Sequence, residues 1–391
     1  MLKRDTSNKS AYPEKKIRGH LNYRRSAIEI ESPEQYGYDK IKYNLTESSV
    51  PDAIWSEIGC QIDDLIFCYT DHLGNPELRE IITADKEHIS KDNVLISIGA
   101  ASALFIVNTC LLRQGTHAVV LHPNYVTNIE TPRAIGANID FLSLEFEENW
   151  EIDLDKLESL IKPHTKLISL TSPHNPTGMI INENDLEGII HLAETHECML
   201  VFDETYRDMA QEHLPPLAAS LSPNVISVSS LSKSYGLPGI RIGWLICQND
   251  SLMETFLAAK EQIFICGSVI DEELAKQYLF NKQDHLSKII SHINKNLKIL
   301  NSWIEENPYF EWVAPKGGVV CFPRLKENPG MDIEAFYKVL NDEYQTFVGP
   351  GHWFEMDRRY MRIGFGWPTS EDLKNGLKCL NLAAEASIIK E

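Results

Sequence analysis

Lys233 stands in the run Ser230-Leu231-Ser232-Lys233-Ser234-Tyr235-Gly236, which follows the apolar stretch Val225-Ile226-Ser227-Val228. A lysine after a strand is, by itself, a surface residue. An amine held among small residues at the end of a buried strand can instead condense with an aldehyde, and burial lowers its proton affinity enough to make it a base. Asp203 has a comparable setting, after Val201-Phe202 and before Glu204-Thr205-Tyr206. A carboxylate there either caps the turn that follows or needs a cationic partner. A third segment is Ser172-Pro173-His174-Asn175-Pro176-Thr177-Gly178. Its prolines and glycine fix a tight loop and aim the Asn175 amide.

The elements that must position these groups are legible from about residue 90. Short apolar runs fall at 94–97, 118–121, 167–170, 199–202, 225–228 and 242–246, separated by helical stretches such as 153–162 and 184–196. This alternation predicts an α/β fold: a mostly parallel sheet with helices on both faces. Ligands bind such sheets beyond the carboxyl ends of the strands. Asn175, Asp203, Ser230 and Lys233 all follow strand ends, so the sheet would gather them on one edge. After about 271 the pattern changes to one long helix or two over 271–306. Strand-like 318–322, a helical stretch near 332–343 and strand-like 361–365 follow. We read residues 1–45 as an N-terminal arm with a small-domain segment, 46–275 as a large domain, and 276–391 as a smaller α+β domain.

The order SPHNPTG at 172–178, VFDETY at 201–206, SLSKSYGLPGIRIGW at 230–244 and RIGFG at 362–366 resembles the class I/II aminotransferases, enzymes of pyridoxal 5'-phosphate with the aspartate-aminotransferase type I fold. The resemblance runs from about residue 42 to 385. It implies that Lys233 carries the cofactor as a Schiff base and later shuttles a proton. Asp203 would pair with the pyridine nitrogen, and Tyr206 and Asn175 would donate to the ring's phenolic oxygen. Tyr125 would stack on the ring. Ser230, Arg241 and the backbone N–H groups of Ala100 and Ala101 would hold the phosphate, the last two at a helix start. Arg362 would grip the substrate α-carboxylate with a planar fork, with Asn175 beside it. Tyr69 resembles the tyrosine that reaches the phosphate of a neighbouring subunit, which implies a homodimer with shared sites.

Read without the resemblance, several of these are ordinary residues. Tyr125 could be a core tyrosine, Arg362 a surface arginine on a strand, and Gly99-Ala100-Ala101 a close-packed turn. The sequence also departs from the family. Gly349-Pro350-Gly351-His352-Trp353-Phe354-Glu355 carries bulky and charged residues where small ones are usual, and Leu45-Thr46-Glu47-Ser48-Ser49 lacks the usual glycine. Both departures bear on the substrate pocket.

Composition excludes some alternatives. With 43% hydrophobic and 24% charged residues the chain can bury a large core. The net charge of -19 repels phosphate backbones, so nucleic acid is not an expected partner. No run of 18 apolar residues suggests a membrane span, and Met1-Leu2-Lys3-Arg4-Asp5 leads into no signal-like segment. Residues 1–25 hold eight Lys or Arg and two acids, which reads as a solvated tail or as a contact arm. Eight cysteines without a CxxC read as reduced core residues of a cytoplasmic protein, and no metal-ligand spacing occurs. The expected activity is transfer of an amino group from an α-amino acid to a 2-oxo acid. The same residues would serve a β-lyase, decarboxylase or oxidase of a specialised amino acid. A non-catalytic, partner-binding protein on this fold is the rival of a different class.

Overall fold

A short strand, β1 (Tyr43–Asn44), precedes seven longer ones: β2 (Val94–Ile98), β3 (His117–His122), β4 (Asn138–Ser143), β5 (Thr165–Thr171), β6 (Met199–Asp203), β7 (Val225–Ser230) and β8 (Ile242–Cys247). These seven form one sheet in the order β2-β8-β7-β6-β5-β3-β4. The structure is a computed structural model and describes residues 21–210, 215–328 and 330–388. Most of the basic arm therefore lies outside the described residues.

Alternation along the strands divides the core. Val119 and Leu121 of β3, Ile168 and Leu170 of β5, and Leu200 and Phe202 of β6 pack with Leu186 and Ile189 of the helix Glu183–Thr195. Their neighbours Ala118, Val120, Leu167 and Val201 face the other way, against Leu104 and Val107 of the helix Gly99–Leu111 and Phe256 of the helix Asp250–Ile263. Both faces are covered, which is why these strands read as continuous apolar runs.

Only β8 is reversed, antiparallel to β7 and to β2. A parallel return needs a crossover of about a dozen residues or more, usually with a helix. Residues 231–241 provide only a compact loop with one 3-10 turn, Pro238–Ile240, so the chain must double back. That loop carries Lys233. The edge strand β4 has no counterpart in the sequence reading. Its apolar residues alternate with Asn138, Asp140 and Ser143, and Asp140 pairs with Lys162 at 2.5 Å.

The C-terminal part is built from β9 (Phe310–Glu311), β10 (Val320–Cys321), β11 (Arg324–Leu325), β12 (Thr346–Phe347), β13 (Gly349–Pro350) and β14 (Met361–Gly364). β14 lies between β10 and β13, and β1 pairs with β12, so the segment before residue 46 is woven into this part. The helix expected over 271–306 is two, Val269–Phe280 and Lys282–Ile304, which meet at Asn281. The strand expected at 318–322 is confined to Val320–Cys321: Gly318 adopts φ +75° and its N–H bonds the Met209 carbonyl instead of a strand. The cysteines are free. Cys198, Cys247 and Cys321 are buried, but Cys68 is exposed and is not a core residue.

Candidate active site

The sheet's carboxyl edge opens into a cavity of about 180 Å³. Asp203 ends β6, Ser230 ends β7 and Lys233 follows it, while Asn175 projects from the loop after β5. All four line the cavity, together with Ala100, Ala101, Tyr125, Tyr206 and Arg241. Nine of the eleven site residues expected from sequence thus converge. Arg362 lies on an adjoining cavity of about 360 Å³, and Lys233 and Tyr125 belong to both. Tyr69 lines neither and is 80% exposed.

One end of the first cavity is an anion cradle. Gly99 takes a left-handed φ of +70° to start the helix Gly99–Leu111, and a Cβ there would lie 2.4 Å from Nη2 of Arg241. A Cβ on Gly243 would lie 2.6 Å from the Ala100 nitrogen. Both positions need glycine so that the guanidinium and β8 can press against the helix start, where free N–H groups and the helix dipole favour an anion. Arg241 is itself left-handed, at φ +53°. Its Nη1 donates to Ser232 Oγ at 3.3 Å and to the Pro238 carbonyl at 2.8 Å. Ser232 also lines the cavity and was not singled out from sequence, where it read as one more small residue beside Lys233.

At the other end Asp203 is 5% exposed. Its Oδ1 accepts from Thr205 N at 3.1 Å and from Thr205 Oγ1 at 2.6 Å. Burial pushes its carboxyl above the ordinary range, against the pull of Thr205 and Asn128. Among the described residues no Lys, Arg or His forms an ion pair with it. Thr205 went unnoticed too, although Asp-x-Thr is the spacing of a local side-chain turn.

The loop after β5 is held from within. His174 is buried, with Nε2 2.8 Å from the Pro123 carbonyl and Nδ1 2.7 Å from Thr177 Oγ1. A carbonyl can only accept, so Nε2 carries the proton and Nδ1 accepts from the threonine. Burial pushes this imidazole down to about 3, so it stays neutral. Asn175 then offers Oδ1 to Arg362 Nη1 at 3.1 Å. Arg362 Nη2 donates to the Thr46 carbonyl at 2.7 Å. Tyr206 is buried and donates to the Ser48 carbonyl at 2.8 Å, and burial holds its phenol above the ordinary range. Lys233 forms no side-chain hydrogen bond or ion pair among the described residues. Burial, and then the charge of Arg362, lower its proton affinity, while Glu47 and Glu34 oppose the shift.

The sequence model of the family "aminotransferase class I and II" matches residues 43–380. The chain belongs to that family. A pyridoxal-phosphate-dependent aminotransferase from Streptococcus suis 89-1591 superposes with a TM-score of 0.85 at 28% identity, covering 93% of this chain and 98% of that one. Capreomycidine synthase of Streptomyces vinaceus is 26% identical over 88% of this chain and 90% of its own length. The arginine–pyruvate transaminase AruH of Pseudomonas aeruginosa is 29% identical over 73% of this chain and 74% of its own. The structural likeness confirms the type I fold expected from sequence.

The family's enzymes work with pyridoxal 5'-phosphate, and this chain is a pyridoxal-phosphate enzyme of that family. The cavity fits the group on two independent observations. Asp203 is a buried carboxyl whose local donors are neutral, which suits a protonated ring nitrogen. The helix start is kept open by Gly99 and Gly243 under Arg241, which suits a phosphate. No described helix is long and apolar enough to cross a membrane.

Proposed function

We propose that this enzyme transfers the amino group of an α-amino acid to a 2-oxo acid. The observation that supports this best is the place of Lys233, at the junction between the cavity suited to the cofactor and the cavity that holds Arg362. Bound pyridoxal phosphate supplies an aldehyde for the amine and a ring that withdraws electrons from the substrate Cα. Ser230, Arg241 and the N–H groups of Ala100 and Ala101 hold the phosphate. Asp203 keeps the ring nitrogen protonated, and Tyr125 covers the ring face. The Asn175 amide nitrogen would donate to the ring's phenolic oxygen, since Asn175 has committed its own oxygen to Arg362, whereas the single Tyr206 hydrogen is given to the Ser48 carbonyl and would have to leave it to serve the ring as the sequence suggests.

Arg362 binds the α-carboxylate. Two of its nitrogens are pinned by Asn175 and Thr46, so the guanidinium is preorganised and fixes which Cα bond faces Lys233. Lys233, desolvated and without a side-chain partner among the described residues, would take the Cα proton on Nζ and deliver it to the carbon that was the cofactor's aldehyde. Tyr69 serves the phosphate of a second copy of the chain. Its exposure, with Phe67 at 76% and Ile66 at 75%, is what a segment buried only on dimerisation presents. We place the enzyme in the cytoplasm, in keeping with its free cysteines.

The likeness to capreomycidine synthase supports a second reading, in which the same activated Cα serves a synthase reaction other than amino-group transfer. One experiment tests both. The cofactor-loaded protein is mixed with single L-amino acids, without any 2-oxo acid, and its absorbance and products are followed. Conversion of the cofactor to its amine form with stoichiometric 2-oxo acid supports transfer. Turnover that regenerates the aldehyde form without a 2-oxo acid product sinks transfer in favour of the second reading.

A further inference from the structure

The cavity of about 360 Å³ that adjoins Lys233 is walled by the N-terminal segment through Glu29 and Glu34, by Glu47, and by Trp353 and Arg362. Among the described residues its charges do not balance once a substrate is bound. Lys233 acts as the base, its proton affinity lowered by burial, and the charge of Arg362 is met by the α-carboxylate. Three carboxylates remain: Glu34 and Glu47, and Glu29, whose Oε2 accepts from the Ser26 N–H at 2.8 Å. Among the described residues none of the three forms an ion pair.

Glu47 is held in place by neutral donors only. Its Oε1 accepts from Tyr38 Oη at 3.0 Å and from Asn44 Nδ2 at 3.3 Å. Among the described residues no base around the cavity pairs with these carboxylates. Lys40 donates to the Tyr36 carbonyl at 2.9 Å. Arg25 reaches Glu29 only at its carbonyl oxygen. His352 pairs with Glu31 at 2.7 Å, and Arg133 with Glu130 and Glu355. Burial, and then the charges of Glu47 and Glu34, hold the Tyr38 phenol above its ordinary range. Independently, Arg362 is 4% exposed and its Nε has no partner, so the α-carboxylate anchor is present in the same cavity.

We propose that the substrate is an α-amino acid with a cationic side chain, an ammonium or guanidinium group that Glu47 and Glu34 receive while Arg362 holds the carboxylate. The proposal rests on the role given to Arg362 above. A second carboxylate on the substrate would be repelled by these acids, and a neutral side chain would gain nothing from them.

The test is binding and half-reaction of the full-length, cofactor-loaded enzyme with matched pairs: L-arginine against L-citrulline, and L-lysine against L-norleucine, with L-glutamate as the acidic probe. Dissociation constants are read from the cofactor's absorbance band and by calorimetry. The expected result is about tenfold tighter binding of a cationic member than of its neutral partner, a gap that shrinks as salt is raised. The gap also narrows in the Glu34→Gln/Glu47→Gln double variant. Neutral members binding as tightly as cationic ones, or L-glutamate binding most tightly, would overturn the charge assignment and leave amino-group transfer standing. If no amino acid of any charge perturbs the band, both the assignment and the function beneath it fail.

Discussion

Trp353 Nε1 donates a 2.8 Å hydrogen bond to Oε2 of Glu31, an acceptor it shares with His352. The bond ties the residues that depart from the family pattern, Gly351 to Glu355, to the segment that walls the substrate cavity. Bulky side chains there do not fill the pocket at random; they clamp the helix Ala27–Glu31 over it. Trp353→Phe keeps the ring and removes the donor. It should cost about 1 kcal/mol in substrate binding, a net hydrogen bond. KM should rise about fivefold with kcat within a factor of two, because the bond acts on the wall and not on the reacting atoms. Steady-state kinetics on the preferred amino acid checks the split.

Lys233 has no substitute amine within the cavity. Lys233→Ala should lower the half-reaction rate on the order of a thousandfold, the usual scale for loss of a positioned base. Borohydride reduction followed by peptide mass analysis gives a second readout. Wild type should carry the reduced cofactor on the peptide containing Lys233, and the variant should carry none.

The raised proton affinity of Asp203 has a sign that can be worked out. Burial raises the folded-state pKa above the unfolded one, so the folded apoprotein holds more protons between the two. Its contribution is intact below the ordinary carboxylate range and is lost as pH rises through the folded value. Asp203→Asn has no such charge. The variant apoprotein should therefore gain melting temperature over wild type at pH 8 more than at pH 4. With cofactor bound the advantage at pH 8 should vanish, because the ring nitrogen then partners the carboxylate. Melting scans of both proteins, with and without cofactor, measure this.

Gly243→Ala tests the cradle. Its Cβ would stand 2.5 Å from the Gly99 carbonyl carbon. Backbone must shift to admit it, at a cost of about 1–3 kcal/mol for an overpacked position. The shift displaces the helix start that faces the phosphate. Cofactor affinity should fall along with melting temperature, and inorganic phosphate should no longer compete for the site. Equilibrium dialysis with cofactor reads the first effect.

The sheet and its chemical edge were legible because buried parallel strands announce themselves as apolar runs, and the residues that end them stand out by contrast. Asp203, Ser230 and Lys233 are of this kind. β4 escaped because an edge strand alternates and carries an ion-paired aspartate. The reversal of β8 was implicit in the short 231–241 loop, but strand direction leaves no mark on side-chain pattern. Thr205 and Ser232 escaped because small hydroxyl residues signal nothing until an acid or a guanidinium is seen against them. The role of Glu31 lay furthest from view. It contacts residues more than 300 positions away, and pairings such as β1 with β12 and the Arg362 bond to Thr46 bring the two ends together.

The exposure of Tyr69 leads to a complementation test. If Tyr69 of one subunit completes the site that holds Lys233 of the other, the lesions Tyr69→Ala and Lys233→Ala segregate in a mixed dimer. One site then receives both lesions and the other neither. Random reassortment of equal amounts makes about half of the dimers mixed, each with one intact site of two, so activity should return to about a quarter of wild type for a two-fold symmetric dimer. Each variant alone stays near its own low level. If Tyr69 served its own chain's site, each site of the mixed dimer would carry one lesion and nothing would be restored. A mixture no more active than the mean of its parents, with mixed dimers confirmed by native mass spectrometry, would therefore remove Tyr69 from the shared site. Recovery to the expected fraction would fix both the dimer and the direction in which its subunits share the cofactor.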